Sequence, residues 1–276
     1  MNIASATAAR RQRLAEVNTA LAERYWQNHP VEELMDDLTS LVDELVLDAW
    51  QQHLGEQNDV ALFAVGGYGR RELHPGSDID LLVLAKRPEK LRTPIENFLR
   101  DVFDLNLEVG HSVRDIKGCL QQARADITVA TALLERRVMA GDMALVGKLN
   151  EKLKPDRVGS ADEFFRAKYE EQIQRHDNYL DTDYNLEPNI KTSPGGLRDI
   201  HTARWICLRQ FAITDTEELV TLGVLSDLER RWLEDGRRFL CWVRYGLHLL
   251  AGEVFLQPEG HRAIGAGFGL GRSKDH

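Results

Sequence analysis

The chain has 276 residues, 29% charged and 43% hydrophobic, which excludes a disordered or fibrous polymer and allows one large or two modest domains. Its 35 lysines and arginines stand against 44 aspartates and glutamates, and the formal net charge of -9 disfavours a nucleic-acid partner while leaving a small nucleotide open. No apolar run approaches the ~20 residues that span a bilayer, so no membrane partner is expected, and the scattered Cys119, Cys207 and Cys241 suit reduced thiols in a cytoplasm.

In chain order, residues 1–55 read as an N-terminal helical region. Its first residues open a solvated helix and not a transit peptide, because Glu16 and Glu23 follow at once. Leu34, Leu38, Leu41, Val42, Leu45 and Val46 then recur at helical spacing after a break near Pro30. Residues 56–145 change pattern and form the expected core. Val60 to Val65 is a short apolar run closed by Gly66-Gly67, and Ile79 to Leu84 is a second, so both predict buried strands. A helix is expected over Thr93 to Asn106, with Thr93 as N-cap, Pro94 at the first helical position and Glu96 completing a capping box. Leu105 to Val109 predicts a third strand. After Ser112 the periodicity predicts helices near 115–124, 127–140, 163–180, 199–211 and 227–250, so that 146–276 is a third, helical region. Asp181 to Gly196 reads as a long loop, and the glycine-rich end beyond Gly260 as flexible or truncated.

The chemistry concentrates in Gly66-Gly67-Tyr68-Gly69-Arg70-Arg71-Glu72-Leu73-His74-Pro75-Gly76-Ser77-Asp78-Ile79-Asp80. Side chains two apart on a strand share a face, so Asp78 and Asp80 present two carboxylates to one point while Ile79 enters the core. Like charges so close are costly unless a cation sits between them, and hard oxygen ligands suit magnesium. Glycines at a strand end let phosphate oxygens approach backbone N–H groups, and a helix start beside them adds a favourable dipole. A bare Asp-x-Asp would read as a turn and a strand-end cap; the paired glycines and flanking apolar strands favour a site.

These residues resemble the DNA-polymerase-beta-like nucleotidyltransferases, whose signature is an apolar residue, Gly-Gly or Gly-Ser, a spacer of about ten residues, and Asp-x-Asp in a strand. The resemblance implies an α+β fold, a small mixed sheet flanked by helices, and transfer assisted by two Mg2+ ions on Asp78, Asp80 and a third carboxylate, for which Glu108 in Leu107-Glu108-Val109-Gly110-His111-Ser112 stands in a suitable place. His111 and Arg114 read equally as triphosphate contacts and as surface side chains.

The longer wording, GGYGRRELHPGSDIDLLVL, then LEVGHSVRD, then PNIKTSPGGLRDIHTARW, resembles the family of PII uridylyltransferase/uridylyl-removing enzymes from about Val60 to Trp205. That resemblance implies transfer of UMP from UTP to a tyrosine of the PII regulatory protein, with nucleotide contacts from Gly66, Gly67, Arg70, Ser77, Lys191, Gly195, Gly196 and Arg198. The family more often has a small residue where Arg71 stands. Its hydrolytic HD domain and glutamine-sensing ACT domains do not fit into this chain, and His176-Asp177 lacks the further ligands of an HD site, so neither uridylyl removal nor a glutamine response is expected of the chain as written. A protein adenylyltransferase of the same fold and a non-catalytic nucleotide-sensing module remain the alternatives.

Overall fold

A computed structural model of the chain describes residues 3–154, 159–180, 189–213 and 215–256. Two helices, α1 (Ile3–Trp26) and α2 (Val31–His53), precede strand β1 (Val60–Val65), and a single helical turn, α3 (Gly66–Gly69), leads from it towards β2 (Ile79–Ala85). Helix α4 (Arg92–Phe103) then joins β2 to β3 (Val109–Arg114), and helices α5 (Ile116–Ala125) and α6 (Ile127–Leu134) lead into β4 (Arg137–Gly141). Helices α7 (Met143–Lys152), α8 (Ala161–Leu180), α9 (Leu197–Phe211), α10 (Thr216–Thr221) and α11 (Asp227–Leu256) complete the order.

The fold is α+β, with one mixed four-stranded sheet in the order β3-β2-β1-β4. β1 is antiparallel to β2 and β4, whereas β2 runs parallel to β3, which is possible because α4 supplies the crossover. Alternation along the two central strands divides the core. Val60, Leu62, Ala64, Leu81 and Val83 pack with Leu34 and Val42 of α2, Phe98 of α4 and Tyr245 of α11. Ala61, Phe63, Leu82 and Leu84 face the other way, onto Cys119, Leu133 and Leu149 of α5, α6 and α7. Asp80, in phase with Leu82 and Leu84, therefore opens β2 on the side of α5 to α7.

Several expected elements shift. The third strand starts at Val109, because Leu105 instead closes the turn after α4, donating its N–H to Val102 O, and Asn106 has φ 60°. The helix expected over 127–140 stops at Leu134, and residues 137–141 take the free edge of β1 as β4. Gly141, at φ 104°, allows this: a Cβ there would stand 2.3 Å from Val60 O. Thr93 does not cap α4. A 3-10 turn over Pro88–Leu91 runs straight into the helix, so Thr93 and Pro94 fall inside its first turn, and Glu96 accepts from Arg92 Nε at 2.8 Å instead of closing a capping box. Helices α7 and α10 were not expected from the sequence pattern. Most of the loop expected from Asp181, and the glycine-rich end from Gly260, lie outside the described residues.

Candidate active site

One cleft gathers Gly66, Gly67, Arg70, Ser77, Asp78, Asp80, Lys191 and Arg198, eight of the eleven residues expected from the sequence. Gly66 has φ 60°, and a Cβ on it would sit 3.1 Å from Asp80 Oδ2; Gly110, opposite Asp80 in the parallel pair, would bring its Cβ within 2.2 Å of Oδ1. Both oxygens of Asp80 thus occupy space left by glycines. Burial, and then the charge of Asp78, raise the Asp80 pKa, while Lys191 opposes the shift. The loop before Asp78 is closed by Ser77, whose N–H donates to His74 O at 3.0 Å and whose Oγ accepts from His74 N at 3.2 Å.

Arg70 is buried between two carboxylates. Its Nε donates to Glu72 Oε2 at 2.7 Å and its Nη1 to Glu135 Oε2 at 2.5 Å. Trp205 Nε1 donates to the other oxygen of Glu135, and His201 Nε2 lies 3.2 Å from Glu72 Oε2, close in distance but off the axis of a hydrogen bond. Burial pulls the His201 pKa down to about 4 although Glu72 resists, so His201 is neutral at pH 7. Arg70 is therefore a strut tying α3 to α6 and α9, its charge already balanced. Lys191 and Arg198 differ: neither forms an ion pair among the described residues, and burial lowers the pKa of each. Arg198 lies over the Trp205 ring, 5.3 Å from its centroid, with Lys168 Nζ also over that ring at 4.4 Å. The two cations are tied through their backbones, Arg198 N–H donating to Lys191 O at 2.8 Å.

Three expected residues lie outside the cleft lining. Glu108 precedes β3 by one residue, accepts Ile79 N–H through its carbonyl at 2.8 Å, and has an exposed side chain. By register it stands across from Asp78, yet among the described residues no three His, Cys, Asp or Glu side chains are grouped to hold a metal. Gly195 and Gly196 shape the turn instead. Gly195 has φ 76° and donates its N–H to Asp199 Oδ2 at 2.7 Å, and a Cβ on Gly196 would stand 2.7 Å from Ile190 O. His176 serves the same turn, with Nε2 3.1 Å from each oxygen of Asp199. His111 rests edge-on against Phe103 and, like Arg114, is outside the lining. A larger hollow of about 900 Å3, against about 160 Å3 for the cleft, adjoins it through Arg70 and Glu72 but lacks the Asp pair.

Residues 44–134 match the nucleotidyltransferase domain family, and residues 163–262 match the family described as GlnD PII-uridylyltransferase. The chain is 44% identical over 252 residues to the bifunctional uridylyltransferase/uridylyl-removing enzyme of Pseudomonas syringae pv. syringae, in the N-terminal part of that protein. Over these residues it is similar to the PII uridylyltransferases. The proteins of the same name from Pseudomonas aeruginosa PAO1 and Pseudomonas putida are 43% and 44% identical, each match covering 91% of this chain. The chain spans 28% of the length of these curated relatives.

Against the family wording, the departure at Arg71 has a local explanation. Its φ is 61°, a conformation small residues and glycine reach more easily, and its guanidinium is held by Asp36, by Ser40 Oγ at 2.6 Å and by Asp43 at 3.1 Å, all on α2. The cleft also contains side chains that the motif did not reveal. Thr128 and Thr131 come from α6 and Glu135 from its C-cap, His201 and Trp205 from α9, and Arg244 from α11. The spacing of the family's GGLRDIHTARW segment, with Arg198, His201 and Trp205 on one face, was the available signal for the second pair; nothing near Arg244 or Glu135 in the sequence marked them.

Proposed function

We propose that this chain is the nucleotidyltransferase part of a PII uridylyltransferase, transferring UMP from UTP to a tyrosine hydroxyl of PII and releasing pyrophosphate. The observation that carries the reading is a cleft in which Asp78 and Asp80 stand with the unpaired cations Lys191 and Arg198. The similarity to bifunctional uridylyltransferases and to the PII-uridylyltransferase family supports uridine as the nucleobase and PII as the protein acceptor.

The residues fit magnesium. This ion commonly takes one or two protein carboxylates, with substrate phosphates and water completing its shell. The Asp80 pKa, raised by burial and then by the charge of Asp78, marks a carboxylate that a divalent cation would stabilise, and Gly66 and Gly110 leave its two oxygens free of side chains there. Asp78 and Asp80 would hold two ions, with Glu108 as the third carboxylate; bound, the ions would lower the pKa of the attacking hydroxyl and neutralise the departing pyrophosphate. In this reading the backbone at Gly66-Gly67 receives phosphate oxygens, and Ser77 fixes the approach to Asp78. Lys191 and Arg198 offset the triphosphate charge. The tyrosine oxygen bonds to the α-phosphorus, the bond from that phosphorus to pyrophosphate breaks, and the hydroxyl proton passes to Asp80 or Glu108.

Three free cysteines support a reducing, cytoplasmic setting, and no helix of the described residues is long and apolar enough to cross a membrane. The formal charge of -9 speaks against a nucleic-acid acceptor. The test is incubation with PII, magnesium and UTP labelled on either the α- or the γ-phosphate. Label should enter PII from the α-position alone, and excess ATP should not compete; γ-label in PII, or equal competition by ATP, would overturn the assignment.

A further inference from the structure

Helix α11 reaches the cleft through a face fixed on both sides. Cys241 and Tyr245 are buried in the main core, Tyr25 stacks on Tyr245 with ring centroids 5.4 Å apart, and Tyr25 Oη donates to Trp242 O at 3.0 Å. One turn further on, His248 Nδ1 donates to Pro75 O at 2.5 Å, on the loop that leads into Ser77 and Asp78. Arg244 lies between these anchors, one turn from Cys241 and about one from His248, and lines the cleft. It is an oriented, half-buried side chain.

Its neighbours leave it without a counter-ion. Arg70 takes Glu72 and Glu135, Arg237 pairs with Glu32 and Glu72, Arg137 with Asp43 and Arg175 with Asp199. Among the described residues Arg244 forms no ion pair, and no hydrogen bond is made by its guanidinium. Lys191 and Arg198 are in the same condition. Three unpaired cations from separate segments facing one cleft exceed what a carboxylate or a single phosphate can engage, and a guanidinium fork matches phosphate oxygens in pairs. Burial draws the Arg244 pKa down, as expected for a cation poorly compensated by protein.

We propose that Arg244 is a phosphate-binding residue of the cleft, engaging the polyphosphate of the nucleotide together with Lys191 and Arg198, so that α11 forms part of the nucleotide site. The inference rests on the nucleotide reading given above, and deepens it by naming a residue far outside the Asp-x-Asp segment. Metal is not needed for its test.

Calorimetric titration with inorganic tripolyphosphate in chelator, in parallel with uridine monophosphate, reads the contact directly. Arg244→Gln should weaken tripolyphosphate binding about tenfold or more and change uridine monophosphate binding much less, and Arg244→Lys should fall between it and the native chain. Arg238→Gln, outside the cleft, should leave both unchanged. Native-like tripolyphosphate affinity in a folded Arg244→Gln protein, absence of tripolyphosphate binding by the native chain, or an equal loss in Arg238→Gln would each overturn the proposal. A chain that binds tripolyphosphate through Arg244 but transfers no label to PII would instead count against the uridylyl-transfer reading alone.

Discussion

Asp80 has a glycine on each side of its carboxylate, and this makes two opposite predictions at neighbouring positions. Because burial and Asp78 raise its pKa, the ionised carboxylate costs the metal-free protein stability, so Asp80→Asn should leave the melting temperature in chelator unchanged or higher. The same change should lower uridylyl transfer by at least ~100-fold, since it removes charge from the reacting site. Paired melting and incorporation measurements check this, and near-native transfer would remove Asp80 from the catalytic set. Gly110→Ala works by displacement: a Cβ 2.2 Å from Asp80 Oδ1 must push the carboxylate aside, while Gly110 itself sits on the edge strand β3. The expected result is a folded protein needing about tenfold more magnesium for half-maximal transfer, measured by metal titration. Gly110 was legible as part of the family wording, but its role was not, because contact with Asp80 depends on the parallel register of β2 and β3.

At the scale of elements, α8 and α9 clasp the turn that carries Lys191. Arg175 of α8 donates to Thr192 O at 2.9 Å and to Asp199 Oδ1 at 2.6 Å, while Asn189 Oδ1 accepts the N–H groups of Lys191 and Thr192, each at 3.0 Å. Arg175→Ala should therefore raise KM for UTP about tenfold with a smaller change in kcat, since it loosens a binding cation and leaves Asp78 and Asp80 in position. A steady-state comparison would show this, and a loss confined to kcat would contradict it. The helices of this clasp were readable from periodicity, whereas strand β4 was not. Val138 and Met139 continue the apolar spacing of α6, and only the vacant edge of β1 turns them into a strand. The missed Thr93 cap has a similar origin, since the 3-10 turn ahead of α4 is a feature of the chain's path that propensity does not encode.

Over the whole molecule, the local motif disclosed the carboxylate pair and the glycine turn, but the walls of the cleft come from α6, α9 and α11, brought together by packing at long sequence separation. That packing also buries two histidines in neutral form, and so links folding to pH. His74 donates Nδ1–H to Glu72 O at 3.0 Å and leaves Nε2 unpartnered, and burial, then the charge of Arg244, depresses its pKa to about 3; burial likewise holds His201 at about 4. Both ordinarily titrate at 6.5, so between that pH and about 4 the unfolded chain binds protons that the folded chain refuses. The stability they contribute is complete above pH 6.5 and is lost as the pH falls, with a slope approaching about 2.7 kcal/mol per pH unit for two protons. Glu72, whose pKa burial raises but the adjoining Arg70 brings down on balance, adds in the same direction near the carboxylate range, while Asp80 and Glu135, raised by burial, oppose it there. The histidine contribution is thus isolated between about pH 6.5 and 5. Urea unfolding at about pH 7, 6 and 5 should show falling stability across that window, and His201→Gln should reduce the slope by roughly one proton. Stability that stays level from pH 7 to 5 would mean that these imidazoles accept protons in the folded chain, and that the wall joining His201 to Glu72 and Arg70 is open to water.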